Sequence, residues 1–269
     1  MLVQLTDLHV HSGVGDAAAA SRVERAISLV RMLDPAPVAV LLTGDMVNSG
    51  SAADYSRLAE LLAGLDGFRV LPMMGNHDDR DLLRATFAHV PEVAGLGELR
   101  HIQYEARAGT FRILALDTQH AGHPGGKLCT TRREWLQSTL EADPVQRTII
   151  AMHHPPMEIG VPALDDIGLR SDHRDALEVL VQDAPGVEQI ICGHVHRPVT
   201  GRLAHAPIFS CPSVFYPAAP TMRRGDPIAL VEGPVGIGVH AHTDSGGLAS
   251  HVRVIGDVPG VLTPVAPVE

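Results

Sequence analysis

Apolar residues along this chain follow two rhythms, and their alternation predicts the architecture. Nearly continuous apolar runs occur at Leu2 to Thr6, Val38 to Leu42, Arg69 to Met74, Arg147 to Met152 and Glu188 to Cys192. A run that is apolar at every position is the pattern of a parallel strand buried on both faces. Between the runs, apolar spacings of three and four predict helices over Ala17 to Leu33, Ala52 to Leu65, Asp79 to Phe87, Thr130 to Leu140 and Asp172 to Gln182, with Ser51 as a cap. The β-α-β-α-β order of the first half implies parallel pairing through right-handed crossovers. His101 to Ala106 and Phe111 to Leu116 read as a hairpin. Beyond His196 the pattern becomes β-rich, with short strands expected at Val199 to Leu203, Ala206 to Cys211, Ala229 to Glu232, Gly236 to His242 and His251 to Ile255. With no repeat and no linker, one domain is expected over 1–269. Its C-terminal part, about 199–258, is expected to add a second sheet layer, cap the site or mediate dimerisation. The Pro- and Val-rich stretch 259–269 is expected to be poorly ordered.

Composition narrows the class. Hydrophobic residues at 45% and charged residues at 19% give an ordinary globular balance, and aromatics at 3% leave the core to aliphatic side chains. A formal charge of -10 argues against a nucleic-acid polymer as partner, because that needs clustered Lys and Arg. It still allows a small anionic substrate, since bound cations invert a local field. Cys129, Cys192 and Cys211 are too few and too odd for a disulfide framework, and they predict a reducing compartment. The start of the chain lacks a basic and an apolar leader region, and no run of about 18 apolar residues exists. The expectation is a cytoplasmic protein without a membrane span.

Histidine is the outlier at 16 copies, and its placement carries the chemistry. Asp7-x-His9, Gly44-Asp45, Gly75-Asn76-His77-Asp78, His153-His154 and Gly193-His194-x-His196 each follow one of the five apolar runs. Five strands that end in ligands at one sheet edge build a single site. Carboxylates, imidazoles and one amide oxygen together suit two hard or borderline divalent ions. Asp7 and His9, and likewise His194 and His196, alternate on segments read as extended, so each pair is expected on one side. Asp78 is placed to fix the ring tautomer of His77. Cys192 is read as a small buried hydrophobe, and His240-Ala241-His242 as a solvated strand face.

Taken in order, the blocks D-x-H, G-D, G-N-H-D, a His pair and G-H-x-H resemble the calcineurin-like metallophosphoesterases. The His153-His154-Pro155-Pro156 form and Leu116-Asp117-Thr118 with its Gly-rich loop resemble the branch of class III cyclic nucleotide phosphodiesterases and related glycerophosphodiesterases. The resemblance implies a four-layer α/β/β/α sandwich with two divalent metal ions, iron or manganese ahead of zinc or cobalt. It implies Asp7, His9 and His196 on one ion, Asn76, His153 and His194 on the other, and Asp45 on both. His154 would stand behind His153, and His77 and Asp78 would be catalytic. The implied reaction is hydrolysis of small phosphodiesters, such as 3′,5′-cyclic nucleotides or glycerophosphodiesters, by a hydroxide shared between the ions. The competing readings are a phosphomonoesterase or protein phosphatase of the same fold, and a non-catalytic interaction module. The lack of Arg in 6–11, 43–48 and 75–78 leans toward diesters, and the complete ligand set argues against the module.

Overall fold

The computed structural model describes residues 1–13, 16–97 and 99–256. The first half runs β1 (Leu2–Leu5), α1 (Asp16–Arg31), β2 (Ala39–Leu42), α2 (Ala52–Leu62), β3 (Val70–Pro72), α3 (Arg80–Thr86), α4 (Pro91–Ala94), β4 (Tyr104–Ala108) and β5 (Phe111–Leu116). The second runs α5 (Thr130–Ala142), β6 (Thr148–Met152), α6 (Pro162–Asp165), α7 (Ser171–Gln182), β7 (Val187–Cys192), β8 (Val199–Leu203), β9 (Ala206–Ser210), β10 (Val235–His242) and β11 (Leu248–Ile255). The Ser51 side chain caps α2 by accepting the Asp54 amide at 3.1 Å.

The strands form two sheets, ordered β11-β10-β1-β2-β3 and β4-β5-β6-β7-β9-β8. The five ligand-bearing runs are β1, β2 and β3 in one sheet, pairing in parallel, and β6 and β7 in the other. Side chains alternate across a strand, and the second sheet uses both of its faces. Ile113, Ala115, Ile149, Ala151, Ile191 and Phe209 join the core shared with β1 and β2. Their neighbours Leu114, Leu116, Ile150, Met152, Ile190 and Ile208 join a separate core with Leu136 and Leu140 of α5 and Leu177 and Val181 of α7. The first sheet packs its other side on α1 and α2 through Val23, Ile27, Val30 and Leu58. The result is a four-layer α/β/β/α sandwich.

The C-terminal region does not form a layer of its own. The β8–β9 hairpin extends the second sheet beside β7, and β10 pairs antiparallel with β1 in the first. Residues 229–232 are not a strand: they are exposed and meet 218 only through an isolated bridge between Ala218 and Leu230. With Pro227 before and Pro234 after, that stretch cannot extend a ladder. The stretch 259–269 lies outside the described residues. No helix among the described residues is long and apolar enough to cross a membrane.

Candidate metal centre

All five ligand blocks meet where the two sheets bring their strand ends together. Asp7, His9 and His196 bring ligand atoms within 4.8 Å of one another, and so do Asp7, Asp45 and His153. The backbone that achieves this is unusual. Asp7, His9, Asp45, His194 and His196 all have positive φ, between 44° and 70°, and only Ala204 joins them among the described non-glycine residues. A left-handed backbone costs on the order of 1 kcal/mol or more at each such residue and gathers at functional sites. The extended segments expected at Asp7-x-His9 and His194-x-His196 are therefore sharply turned. His194 and His196 do not share a side: His194 joins the His153 side of the centre, and His196 joins Asp7 and His9. Glycines make room for the acids. A Cβ on Gly75 would overlap Asp45, and one on Gly193 would overlap Thr6 and stand 2.7 Å from Asp7 Oδ2.

The ring tautomers are set from behind. Backbone carbonyls can only accept, so a ring nitrogen facing one must carry the proton. His153 Nδ1–H donates to the Thr43 carbonyl at 2.9 Å, His194 Nε2–H to that of Ile167 at 2.9 Å, and His196 Nδ1–H to that of Tyr216 at 2.7 Å. His9 Nδ1 faces Asn48 Oδ1 at 3.3 Å. The second nitrogen of each ring then holds a bare lone pair turned into the centre. Those lone pairs face one another: His9 Nε2 and His196 Nε2 are 3.0 Å apart, and His194 Nδ1 and His153 Nε2 are 3.2 Å apart. His153 Nε2 also lies 3.1 Å from Asn76 Oδ1 and 3.2 Å from Asp45 Oδ2. No proton is left to hold such pairs together. Ligands at right angles on one cation, with bonds of about 2.1 Å, sit about 3.0 Å apart. The donor set therefore fits divalent cations.

Burial acts in the same direction on two of the rings. Burial pushes His9 down to about 3, and it lowers His194 well below the ordinary imidazole range, so both rings stay neutral. Burial opposes charge on Asp45 as well, but the facing His153, His9 and His77 rings hold its carboxyl well below the usual range. His153 is the exception: burial would lower it, but the Asp45 and Asp7 carboxylates prevail and hold it up at about 9, and a cation on Nε2 would take the place of that proton.

His154 belongs behind the centre. Its Nε2 donates to the Pro124 carbonyl at 3.0 Å and its Nδ1 accepts from the Thr118 hydroxyl at 2.8 Å, so neither nitrogen is free. His77 stands at the mouth, exposed, with Nδ1–H donated to the Asn48 carbonyl at 2.7 Å and its own amide donated to Asp45 Oδ1 at 2.8 Å. Asp78 does not touch that ring, so the tautomer role expected of it is not seen. Its carboxylate turns inward and accepts from the amides of Gly75 at 2.9 Å and Met46 at 3.1 Å, and from the Tyr55 hydroxyl at 3.3 Å. Burial and the charge on Asp45 push it up to about 7. It ties together the loops after β2 and β3.

Asn48 is the residue that sequence reasoning missed. It orients both His9 and His77, and an amide three positions after the Gly44-Asp45 block was the available signal. His240 is also corrected: it is fully buried, bonded to Gln4 and Ser250 rather than solvated. Cys192 is buried and free, as expected.

A family model described as calcineurin-like phosphoesterase matches residues 1–198, which holds every block of the centre. The chain belongs to the calcineurin-like phosphoesterase family. This phosphoesterase is 29% identical over 265 residues to a protein of Arcobacter nitrofigilis named "Probable glycerophosphodiester phosphodiesterase GpdQ", covering 97% of this chain and 95% of that one. It is 33% identical over 186 residues to "Probable cyclic nucleotide phosphodiesterase RPA0124" of Rhodopseudomonas palustris, covering 68% of this chain and 65% of that one. A dimetal phosphatase of Danio rerio shares the fold, with a TM-score of 0.65 at 15% identity over 95% of this chain and 96% of that one.

A cavity of about 330 Å³ opens over the phosphoesterase centre. His9, Asp45, Asn76, His77, His194 and His196 make its floor. Its walls are Leu164, Ile167 and Phe215 with Ile228 and Leu230 from the loop before β10, and among the described residues no Lys or Arg lines it.

Proposed function

We propose that this phosphoesterase hydrolyses small phosphodiesters at a centre of two divalent cations. The cation-free wall of the cavity is the observation that carries the reading. A phosphomonoester bears roughly 1.5 to 2 negative charges near neutral pH. Its surplus charge would face Leu164, Ile167 and Phe215 with nothing to solvate it. A diester bears a single charge and offers those walls a second ester group. The names of the relatives, a glycerophosphodiesterase and a cyclic nucleotide phosphodiesterase, point to the same substrate classes.

Asp7, His9 and His196 are assigned to one cation, Asn76, His153 and His194 to the other, and Asp45 to both. Nitrogen and oxygen ligands without thiolate favour iron or manganese, with zinc and cobalt as the alternatives. When bound, the cations supply Lewis acidity and bring the ionisation of water close to neutral pH. The chain's own residues do the rest. The carbonyls of Thr43, Ile167 and Tyr216 hold the imidazoles in their ligating tautomers. His77 keeps Nδ1–H on the Asn48 carbonyl, which leaves Nε2 as the atom that passes a proton to the leaving oxygen as its bond to phosphorus breaks. The apolar walls exclude water from the ester group. We read the whole chain as one catalytic unit, with the loop before β10 as its substrate wall.

The test is a side-by-side measurement of kcat/KM on bis(p-nitrophenyl) phosphate and p-nitrophenyl phosphate. The diester is expected to be favoured by at least about tenfold, roughly 1.4 kcal/mol in transition-state binding. Equal values, or preference for the monoester, would return the chain to the phosphomonoesterase reading.

A further inference from the structure

A second cavity, of about 560 Å³, has the opposite chemistry. Arg80, Arg100, His101 and Lys127 line it, together with Trp135, the chain's one tryptophan, and among the described residues no carboxylate does. In a chain of formal charge -10 this is a local reversal of sign. Asp117, which pairs with the lining residues Arg80 and Arg132, is fully buried and already engaged. It accepts from Arg80 at 2.9 Å, from Arg132 at 3.2 Å, and from the amides of Ile102 at 3.0 Å and Gln119 at 2.9 Å.

Three lining residues also carry buried polar atoms without a hydrogen-bond partner: Arg80 Nε, His101 Nδ1 and Gln103 Oε1. Gln103 is only 7% exposed. A buried unpaired polar atom costs about 1–3 kcal/mol, and native proteins keep few of them. Three of them lie in the lining residues of this one cavity, which makes its wall polar in depth as well as at the surface. Cationic forks and an ammonium call for an anion. A half-buried indole offers a flat apolar face to a ring, and the Gln103 amide can both donate to and accept from a ring edge.

We propose that this cavity binds a nucleoside monophosphate, with the phosphate on Arg100 and Lys127 and the base against Trp135. The site lies outside the metal ligand set, and the proposal does not depend on the diester reading. It shares Arg80, Leu99, Arg100, Gln119 and Ala121 with an adjoining cavity of about 660 Å³ that reaches Asn76 and is itself lined by Asp78, Asp79 and Asp81. Gln119 Nε2 also donates to the Asp78 carbonyl at 2.6 Å. An occupant therefore adjoins the loop that carries Asn76.

Because the chain has a single tryptophan, its emission reports on this cavity. The metal-loaded full chain is titrated with adenosine 5′-monophosphate, adenosine and inorganic phosphate. The expected result is a saturable change in Trp135 emission with a Kd below about 1 mM for the nucleotide, and at least about tenfold weaker binding of adenosine. Inorganic phosphate should compete. The double variant Arg100→Gln/Lys127→Gln should raise the Kd at least about tenfold while its circular dichroism matches the parent. If that variant fails to fold, the two single variants carry the test, each with a smaller rise in Kd. No saturable change, adenosine binding as well as the nucleotide, or a titration that the variants leave unaltered would each overturn the proposal.

Discussion

Replacing Asp45 with Ala is expected to empty both cation positions and abolish turnover. Its Oδ2 lies 3.2 Å from His153 Nε2 and 3.9 Å from His9 Nε2, so one oxygen faces both halves of the centre. Its Oδ1 holds the His77 amide, and that contact is lost as well. Asp7 also lies within 4.8 Å of ligand atoms on both sides, but Asp45 is the carboxylate assigned to both cations, and without it the two would repel each other less shielded. Loss of an outer partner of a metal ligand already costs about 10–100-fold in affinity or activity. Loss of the shared ligand should exceed about 10²-fold. Asp45 sits at φ 49°, where Ala is strained, so Asp45→Asn is the companion variant. Asn tolerates that backbone and keeps the shape while removing the charge. Metal content after gel filtration and turnover of a chromogenic diester decide the matter. Either variant holding a full metal complement with near-parental turnover would show that Asp45 is not shared.

The second large effect is expected at His77. Its ring is exposed at the cavity mouth and is steered by the Asn48 carbonyl from a position that touches no buried ligand nitrogen by hydrogen bond. A positioned general acid contributes roughly 10²–10⁴-fold. His77→Ala should therefore lower kcat by that order while the metal content holds. The loss should be larger for an alkyl diester than for a p-nitrophenyl diester, because a good leaving group needs little protonation. Equal losses on both would remove the acid role and leave phosphate positioning. The ring nitrogens of His77, His9 and Asp45's carboxylate lie within 4.8 Å of one another, so the metal count is an essential part of the experiment. Cation loss in the variant would move His77 into the ligand set.

The fold was legible in the sequence because its central strands are buried on both faces. Such strands must be apolar throughout, and the ligand blocks stand out against them as the first polar residues after each run. The helices read well for the complementary reason: Val23, Ile27 and Val30 of α1 keep helical spacing. What the sequence concealed has physical causes too. Nothing in the letters of Asp7-x-His9 distinguishes an extended segment from the left-handed one observed, because Asp and His tolerate both. The carbonyls of Thr43, Ile167 and Tyr216 orient three of the imidazoles, and a backbone carbonyl leaves no mark in side-chain identity. Asp78 adjoins His77 in the chain, yet its side chain turns to the amides of Gly75 and Met46, since a buried carboxylate needs donors more than a neighbour's ring. His240 lies on β10, and its partners Gln4 and Ser250 come from β1 and β11 on either side in the same sheet, a pairing between distant segments that the local alternation does not reveal. The cation-lined cavity draws on residues between 80 and 135 that no local motif joins.

The central claim is that facing lone pairs in the centre are the ligands of two cations that the reaction requires. The direct measurement is a titration of chelator-stripped protein with Mn²⁺, following bound metal and hydrolysis of bis(p-nitrophenyl) phosphate in the same samples. The account predicts no turnover in the stripped protein and a rise that levels off at about two ions per chain. Turnover by the stripped chain, or full activity at about one ion per chain, would contradict it.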